Sequence, residues 1–429
     1  MARMMLVGFF AGAFVSRPYM LATCLSSSSD DDLNAGFRPP VQVSTMAVKN
    51  AVRLRGNVTS KTTSASISTL APVTNEVIAT DNSGNTTAGG AFTKHHGVVI
   101  GMKIHGPPHV PQLKQSLCLL NQAYNNRMNY DIVIFTTLPL ADVDTEHLKE
   151  IVHPASLIVV TDKQTLSDQV NAMSKNQKNV LFDRCNVTSR DELFWWTRCC
   201  EGSAKSKDTC GHYMPIAYSW QSEFRSKQIW TQKALEKYKY MMWYDSDAMS
   251  TKIWQQDPVD LAVRNNLAIL FDHFPQGKSK GADVAERVIE AYGTSLCKLK
   301  LQNGHFEADY GDCNDISVPQ VHGFFHVTNL DFYRLPQNLK WANVLIGETK
   351  FSRRWDDQLA VTVPPAMLAP ERAWEMEANG VKLDVWHNQF MDGKRRWRGG
   401  GYQKWWQSEG KQSFPEAWEV CKPLVVNGG

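Results

Sequence analysis

From Gly97 onward the chain alternates short apolar runs with longer segments of helical spacing. The apolar runs predict buried strands at 97–104, 131–136, 157–160, 240–244 and 267–271. Helical spacing and stop signals predict helices from Pro111 to about 126, over 224–240, over 283–292 and over 370–379. This alternation predicts an α/β fold with a mostly parallel sheet flanked by helices.

The first 95 residues lack this alternation. Residues 1–25 hold two apolar runs separated by Arg17, which is typical of a signal peptide or a signal anchor. We favour the anchor, because the next segment resembles a stalk. Both apolar runs would then insert together, with the charged end of Arg17 reaching the membrane surface. Residues 26–95 are rich in Ser, Thr, Asn and Gly, which predicts a disordered stem. Residues 96–429 are then one catalytic domain.

Composition and cysteine content narrow the class of protein. The net charge of +3 on 429 residues is too small to indicate a nucleic-acid partner. Four of the nine cysteines, Cys185, Cys199, Cys200 and Cys210, lie close together and predict a disulfide-stapled insertion in an oxidising compartment. A zinc site is the alternative, but no paired Cys-x-x-Cys is present. Glycosylation sequons at Asn57, Asn85 and Asn186 agree with a lumenal route.

The apolar run Tyr240-Met-Met-Trp-Tyr ends in two aspartates, Asp245 and Asp247. A buried strand would deliver both carboxylates to the carboxyl edge of the sheet, where ligands of open α/β sheets bind. Mg²⁺ and Mn²⁺ prefer such oxygen ligands together with phosphate oxygens. Asp-x-Asp pairs alone are common in solvated turns. Beside a buried strand, however, carboxylates without a partner are costly to bury, which favours a functional role for this pair. The motif therefore favours a sugar-nucleotide transferase.

Several short segments over about residues 97–390 carry a family resemblance. Residues 125–131 are Asn-Asn-Arg-Met-Asn-Tyr-Asp, 329–334 are Asn-Leu-Asp-Phe-Tyr-Arg, and 354–357 are Arg-Trp-Asp-Asp. They resemble Asn-Asn-Lys-Phe-Asn-Tyr-Asp, Asn-Leu-Asp-Phe-Phe-Arg and Arg-Trp-Gly-Asp of the fungal-type Golgi α-1,2-mannosyltransferases, glycosyltransferase family fifteen. The resemblance implies the GT-A nucleotide-diphospho-sugar transferase fold, Mn²⁺ (or Mg²⁺), a nucleotide-sugar donor and a glycan or glycoprotein acceptor.

The resemblance also implies roles for particular residues. Asp245 and Asp247 would bind the metal ion, with Asp245 also near the donor, and His387 would complete the metal site. The substrate-binding candidates are Arg354, Trp355 and Asp356, and Asp357 is a catalytic candidate that would orient a donor or acceptor hydroxyl. A helix N-cap is the alternative for the aspartates after Trp355, and a surface turn is the alternative for His387.

Two departures from the family bear on mechanism. Asp245-Ser-Asp247 stands where the family has Glu-Pro-Asp or a close variant. His326 stands where the family has a glutamate proposed as its nucleophile. A front-face route, in which the leaving phosphate accepts the proton of the acceptor, needs no enzyme nucleophile. His326 is therefore a catalytic candidate without an assigned step.

The sequence predicts a metal-dependent glycosyltransferase that transfers a hexose, with mannose from GDP-mannose as the first candidate. We expect it at the Golgi membrane, with its catalytic domain in the lumen. The endoplasmic reticulum lumen or secretion is the alternative location. The alternative functions are a galactosyl- or xylosyltransferase that uses a UDP-sugar, and a catalytically silent GT-A domain that binds glycans as a scaffold. The basic cluster 394–398 is either a solvated loop or a clamp for a diphosphate or an acidic acceptor.

Overall fold

The structure is a computed structural model that describes residues 92–200, 210, 213–274, 278–279, 282–311, 313, 318–347, 350–351, 356–387, 390–391, 394–395 and 406–422. All of them belong to the second of two units of the chain, residues 84–429. The predicted leader 1–25 and nearly all of the predicted stem 26–95 lie outside the described residues and stay predictions. In the described ranges no helix has both the length and the apolar character needed to span a membrane.

Strands form a large central sheet and smaller ribbons. The strands are β1 Val98–Ile104, β2 Asp131–Thr136, β3 Leu157–Thr161, β4 Arg198–Cys200, β5 Tyr213–Pro215, β6 Tyr240–Tyr244, β7 Ala248–Ser250, β8 Ile269–Phe271, β9 Lys278–Ser279, β10 Ser295–Gln302, β11 His305–Gly311, β12 Val318–Pro319, β13 Phe325–Asn329, β14 Ala373–Glu375, β15 Val385–His387, β16 Phe390–Met391 and β17 Lys394–Arg395. Among described residues, the central sheet has the order β10-β11-β14-β8-β13-β6-β1-β2-β3.

The parallel half of this sheet is the part that the sequence patterns predicted. Strands β6, β1, β2 and β3 run parallel to one another. Strand β13 lies between β6 and β8 and is antiparallel to both. Strand β14 is parallel to β8, and β10 and β11 form an antiparallel edge. The predicted α/β class is confirmed, with antiparallel strands added to the half of the sheet beyond β6.

Helices cover both faces of the sheet. The α-helices are α1 Val110–Leu120, α2 Asn126–Met128, α3 Asp142–Val152, α4 Leu166–Asn171, α5 Lys175–Cys185, α6 Ile216–Glu223, α7 Pro258–Arg264, α8 Ala282–Tyr292, α9 Leu330–Tyr333, α10 Pro336–Ile346, α11 Asp356–Leu368, α12 Lys411–Ser413 and α13 Pro415–Cys421. Wider π turns occupy Asn121–Asn125, Phe224–Gln228 and Trp406–Gly410. Tighter 3-10 turns occupy Pro107–His109, Arg190–Glu192, Ile229–Thr231, Lys233–Leu235, Pro370–Arg372 and Glu377–Asn379.

Two predicted helices are wrong in form. The segment 224–240 is a π turn followed by two 3-10 turns, because the backbone of Gln232 is extended (φ −66°, ψ 125°). The segment 370–379 contains strand β14, whose fully buried Ala373 pairs with Ile269 of β8. Helical spacing in the sequence does not reveal pairing with a strand a hundred residues away. The predicted helix 283–292 is confirmed as α8, and Gly293 follows it at φ +83°.

The pleat of β6 separates two cores and aims its carboxyl end at the site. Tyr240, Met242 and Tyr244 pack on the face covered by α1. Met241 and Trp243 pack on the opposite face, against α8, α10 and α11. A disulfide between Cys118 of α1 and Cys421 of α13 closes the first face, with a Cα–Cα distance of 5.7 Å. The strand is thus held on both sides where it ends in Asp245.

Candidate active site

Asp245 and Asp247 occupy a tight turn between β6 and β7. The backbone N–H of Asp245 donates to the carbonyl of Phe324 at 2.9 Å, and that of Ala248 donates to the carbonyl of Asp245 at 2.9 Å. Strand β7 then pairs with β15, where Ala248 lies opposite His387. This pairing brings His387, which is 139 positions beyond Ala248 in the chain, to the end of β6.

The three predicted metal ligands converge. Their ligand atoms lie within 4.8 Å of one another. The Nε2 atom of His387 lies 3.4 Å from Oδ1 of Asp247 and 3.7 Å from Oδ2 of Asp245. The ring of Phe324 stacks on the ring of His387, with their centroids 4.6 Å apart. Two carboxylates and one imidazole form a donor set that suits Mn²⁺.

Exposure and charge differ across this trio. The side chain of Asp247 is 35% exposed, against 16% for Asp245 and 10% for His387, so Asp247 faces the solvent side. Burial raises the pKa of Asp245. Burial also acts to raise the pKa of Asp247, but the charge of His387 brings it below its ordinary value. Burial acts to lower the pKa of His387, but Asp247 raises it overall.

Arg225 links the candidate metal trio, that is Asp245, Asp247 and His387, to Asp357. Its Nη1 lies 3.3 Å from Oδ1 of Asp245 and 2.9 Å from Oδ2 of Asp357. Its Nη2 donates to the carbonyl of Gly323, and its guanidinium lies 4.7 Å from the ring of Trp243. A Cβ on Gly323 would be 3.0 Å from both Arg225 and Asp357, so a side chain there would push the pair apart. Sequence reasoning missed Arg225.

Asp357, a predicted catalytic residue, lies in the first turn of α11 and is only 8% exposed. One carboxylate oxygen pairs with Arg225, and the other accepts a hydrogen bond from the Ser222 hydroxyl at 3.3 Å. The structure therefore attaches Asp357 to the metal trio through Arg225. Arg354, Trp355 and the side chain of Asp356 lie outside the described residues, as do the side chains of the basic cluster 394–398, and their roles stay predictions.

His326 lies beneath the trio. It is 2% exposed on β13, opposite Trp243, and its buried Nδ1 has no hydrogen-bond partner in the part of the chain that the structure describes. It lines a cavity of about 10 Å³ together with Arg225, Trp243 and Asp357. That volume has room for about one water molecule and not for a sugar ring. The structure thus places His326 near Arg225 in the protein interior, and its catalytic role stays a prediction.

An aromatic wall follows the end of β1. The ring of His105 lies 5.0 Å from that of Trp196, and the ring of His109 stacks on Trp196 at 6.1 Å. Burial lowers the pKa of His109, and the charge of Asp247 opposes this shift. Trp196 is 54% exposed. A half-exposed indole can stack on a sugar or a base.

Trp196, one member of this wall, belongs to the insertion that the cysteines predicted. Disulfides join Cys185 to Cys199 and Cys200 to Cys210. A further disulfide joins Cys297 to Cys313. The predicted disulfide framework is confirmed, and the proposed zinc alternative for these cysteines is wrong, since their sulfur atoms are bonded in pairs.

The fold is shared with known mannosyltransferases. No family model and no curated protein matches the sequence. Core-mannan synthase A (CmsA/Ktr4) of Aspergillus fumigatus, solved in its Mn/GDP form, is 12% identical and superposes with a TM-score of 0.51 over 73% of this chain and 81% of its own. The mannosyltransferase Ktr4p of S. cerevisiae is 12% identical, with a TM-score of 0.50 over 69% of this chain and 71% of its own. The GT-A fold implied by the sequence resemblance is confirmed.

Proposed function

We propose that the chain is a metal-dependent glycosyltransferase that moves a hexose, first mannose from GDP-mannose, onto a glycan or glycoprotein acceptor. The observation that carries this proposal is the convergence of Asp245, Asp247 and His387 at the carboxyl edge of a GT-A sheet. Both structural neighbours have mannan or mannosyl transfer in their names, and one was solved with Mn and GDP. These neighbours support GDP-mannose as the first donor to test.

Each residue of the site has a proposed task. Asp245, Asp247 and His387 would hold Mn²⁺, which when bound neutralises charge on the nucleoside diphosphate leaving group. Arg225 is already paired with two carboxylates, so we assign it to positioning Asp245 rather than to binding phosphate. Asp357 would position Arg225 and, where a substrate hydroxyl replaces the Ser222 contact, orient that hydroxyl. His326 lies behind this layer and would act on it through Arg225 or a buried water.

The mechanism that fits these positions is a front-face transfer. The acceptor oxygen would form its bond to the anomeric carbon as the bond to the diphosphate breaks, and the leaving phosphate would take the acceptor's proton. This route needs no protein nucleophile. It agrees with the burial of His326, which stands where the resembling family has a glutamate.

The location proposed is the Golgi lumen, with the chain held at the membrane through residues 1–25. Four disulfides among the described cysteines support an oxidising compartment. The sequon residue Asn186 is exposed where α5 ends and is accessible to glycosylation. The endoplasmic reticulum lumen and secretion are the alternatives.

Nucleotide release by the purified chain tests the proposed function. The donors are GDP-mannose and a panel of UDP-sugars, each with Mn²⁺ or EDTA, and Asp247→Ala is the control variant. We expect Mn²⁺-dependent release from GDP-mannose that is lost in the variant. Release from a UDP-sugar alone would assign the chain to galactosyl or xylosyl transfer. No release from any donor, with Mn²⁺ bound and acceptor glycans supplied, would favour the silent glycan-binding scaffold.

A further inference from the structure

A second group of metal-ligating side chains lies beside the first. Asp272 and His273 follow β8 directly, and His322 precedes β13. Because β13 is antiparallel to β8, the end of β8 and the start of β13 meet at one edge of the sheet. The backbone N–H of His322 donates to the carbonyl of His273 at 3.0 Å and joins the two segments. Ligand atoms of the three side chains lie within 4.8 Å of one another.

This group is adjacent to the first trio and separate from it. The rings of His273 and His322 have centroids 4.8 Å apart, and the ring of His322 lies 5.3 Å from that of His387. His322 is thus the residue of the second group that contacts the first. The two trios share no residue.

The second trio has coordination capacity that the protein leaves unused. Among the described residues, the buried Nδ1 atom of His322 has no hydrogen-bond partner. Leaving a buried polar atom unpaired is unfavourable. In the described ion pairs, Asp272 is matched only by its neighbour His273 and by no lysine or arginine. A cation among these side chains would neutralise the carboxylate, and coordination through Nδ1 of His322 would give that nitrogen a partner.

We infer that Asp272, His273 and His322 form a second divalent-cation site with a preference for Zn²⁺. Two imidazoles and one carboxylate are a nitrogen-rich donor set, and imidazole suits zinc, whereas carboxylates suit manganese. The Asp245 trio has the opposite ratio of ligands. At an equal donor set Zn²⁺ also binds more tightly than Mn²⁺. An ion at the second site fixes His322 next to His387 and joins the end of β8 to the start of β13 beside the first site.

Metal stoichiometry tests this inference independently of transfer activity. The full chain is stripped with a chelator, and binding of Zn²⁺ or Mn²⁺ alone is followed by calorimetry and by elemental analysis of the dialysed protein. The variants are His322→Ala and Asp247→Ala, with His96→Ala as the matched control. His96 is exposed and precedes β1 at the opposite edge of the sheet.

We expect the tighter Zn²⁺ site to be lost in His322→Ala and kept in Asp247→Ala and in the control. We expect Mn²⁺ binding to be lost in Asp247→Ala and kept in His322→Ala. Loss of a direct ligand should lower the Zn²⁺ affinity by more than the roughly 10–100-fold by which removal of an outer-shell partner lowers metal affinity. If His322→Ala does not fold, His273→Ala gives the same readout, since that side chain is 25% exposed. One ion that is lost equally in both site variants, or Zn²⁺ binding unchanged in His322→Ala and His273→Ala, would overturn the inference.

Discussion

Replacing Arg225 by methionine removes the cation shared by Asp245 and Asp357. The Arg225 guanidinium lies 3.3 and 2.9 Å from these carboxylates, and the three side chains are 10–16% exposed. At an effective dielectric constant of about 20, each attraction is worth about 5–6 kcal/mol before desolvation is counted. Breaking a buried ion pair by removing one partner costs about 3–5 kcal/mol. We expect Arg225→Met to lower the free energy of unfolding of the metal-free protein by about 3–5 kcal/mol.

Urea denaturation of the full chain, followed by tryptophan fluorescence in EDTA, measures this loss. Arg225→Met is compared with Asp357→Asn and with the double variant. Arg225→Met leaves the buried charge of Asp357 unpaired, and Asp357→Asn removes that charge. The double variant should therefore be at least about 1.5 kcal/mol more stable than the sum of the two single losses predicts. Arg190→Met is the control, since the ion pair of Arg190 with Asp191 is exposed and contributes at most about 1 kcal/mol.

Mn²⁺ provides a second readout of the same contact. A divalent ion at Asp245 replaces part of the lost positive charge, so Mn²⁺ should restore more stability to Arg225→Met than it adds to the unchanged protein. Additivity of the two substitutions within about 0.5 kcal/mol would show that Arg225 and Asp357 do not interact. A loss for Arg225→Met no larger than that of the control would refute the buried bridge altogether.

Three further predictions concern the site and its support. His326→Ala should lower turnover while calorimetry shows unchanged Mn²⁺ binding, and full activity would remove His326 from the mechanism. Burial acts to lower the pKa of His387, but Asp247 raises it above its ordinary value overall. The protonated ring therefore stabilises the metal-free protein fully below about pH 6.5, and this stabilisation is lost as the pH rises through the raised pKa. Mn²⁺ needs the neutral ring, so its affinity, titrated from acid to neutral pH, should rise up to about tenfold per pH unit below that pKa; a flat affinity would contradict the ligand assignment. Replacing Cys118 and Cys421 by serine should lower the free energy of unfolding by about 2–5 kcal/mol in thermal melts, and an unchanged melting temperature would count against that disulfide.

Local patterns predicted much of the convergence of Asp245, Asp247 and His387, because two of the three lie close together in the sequence. The apolar run of β6 and the adjacent Asp245 and Asp247 can be read from eight consecutive residues. Strand β2 has the predicted bounds, since both ends are marked by changes in hydrophobicity. His387 was predicted through family resemblance, and its pairing opposite Ala248 shows why it reaches the site.

Features that depend on distant contacts were missed. Arg225 carries no sequence signal, because its partners Asp245 and Asp357 lie 20 and 132 residues further along the chain. His322 belongs to no motif. Its neighbours Asp272 and His273 follow β8, which meets the start of β13 only in the folded sheet. Strand β14 is three residues long and is defined by its pairing with β8, so its own sequence could not separate it from a helix.

The central claim is that Asp245, Asp247 and His387 hold the metal ion of a nucleotide-sugar donor. Anomalous diffraction from crystals grown with Mn²⁺ and GDP tests it most directly, because the ion is then located by its own scattering. The account predicts a manganese peak coordinated by these three side chains and by the diphosphate of GDP. A manganese peak that contacts none of the three, with GDP bound elsewhere, would contradict it.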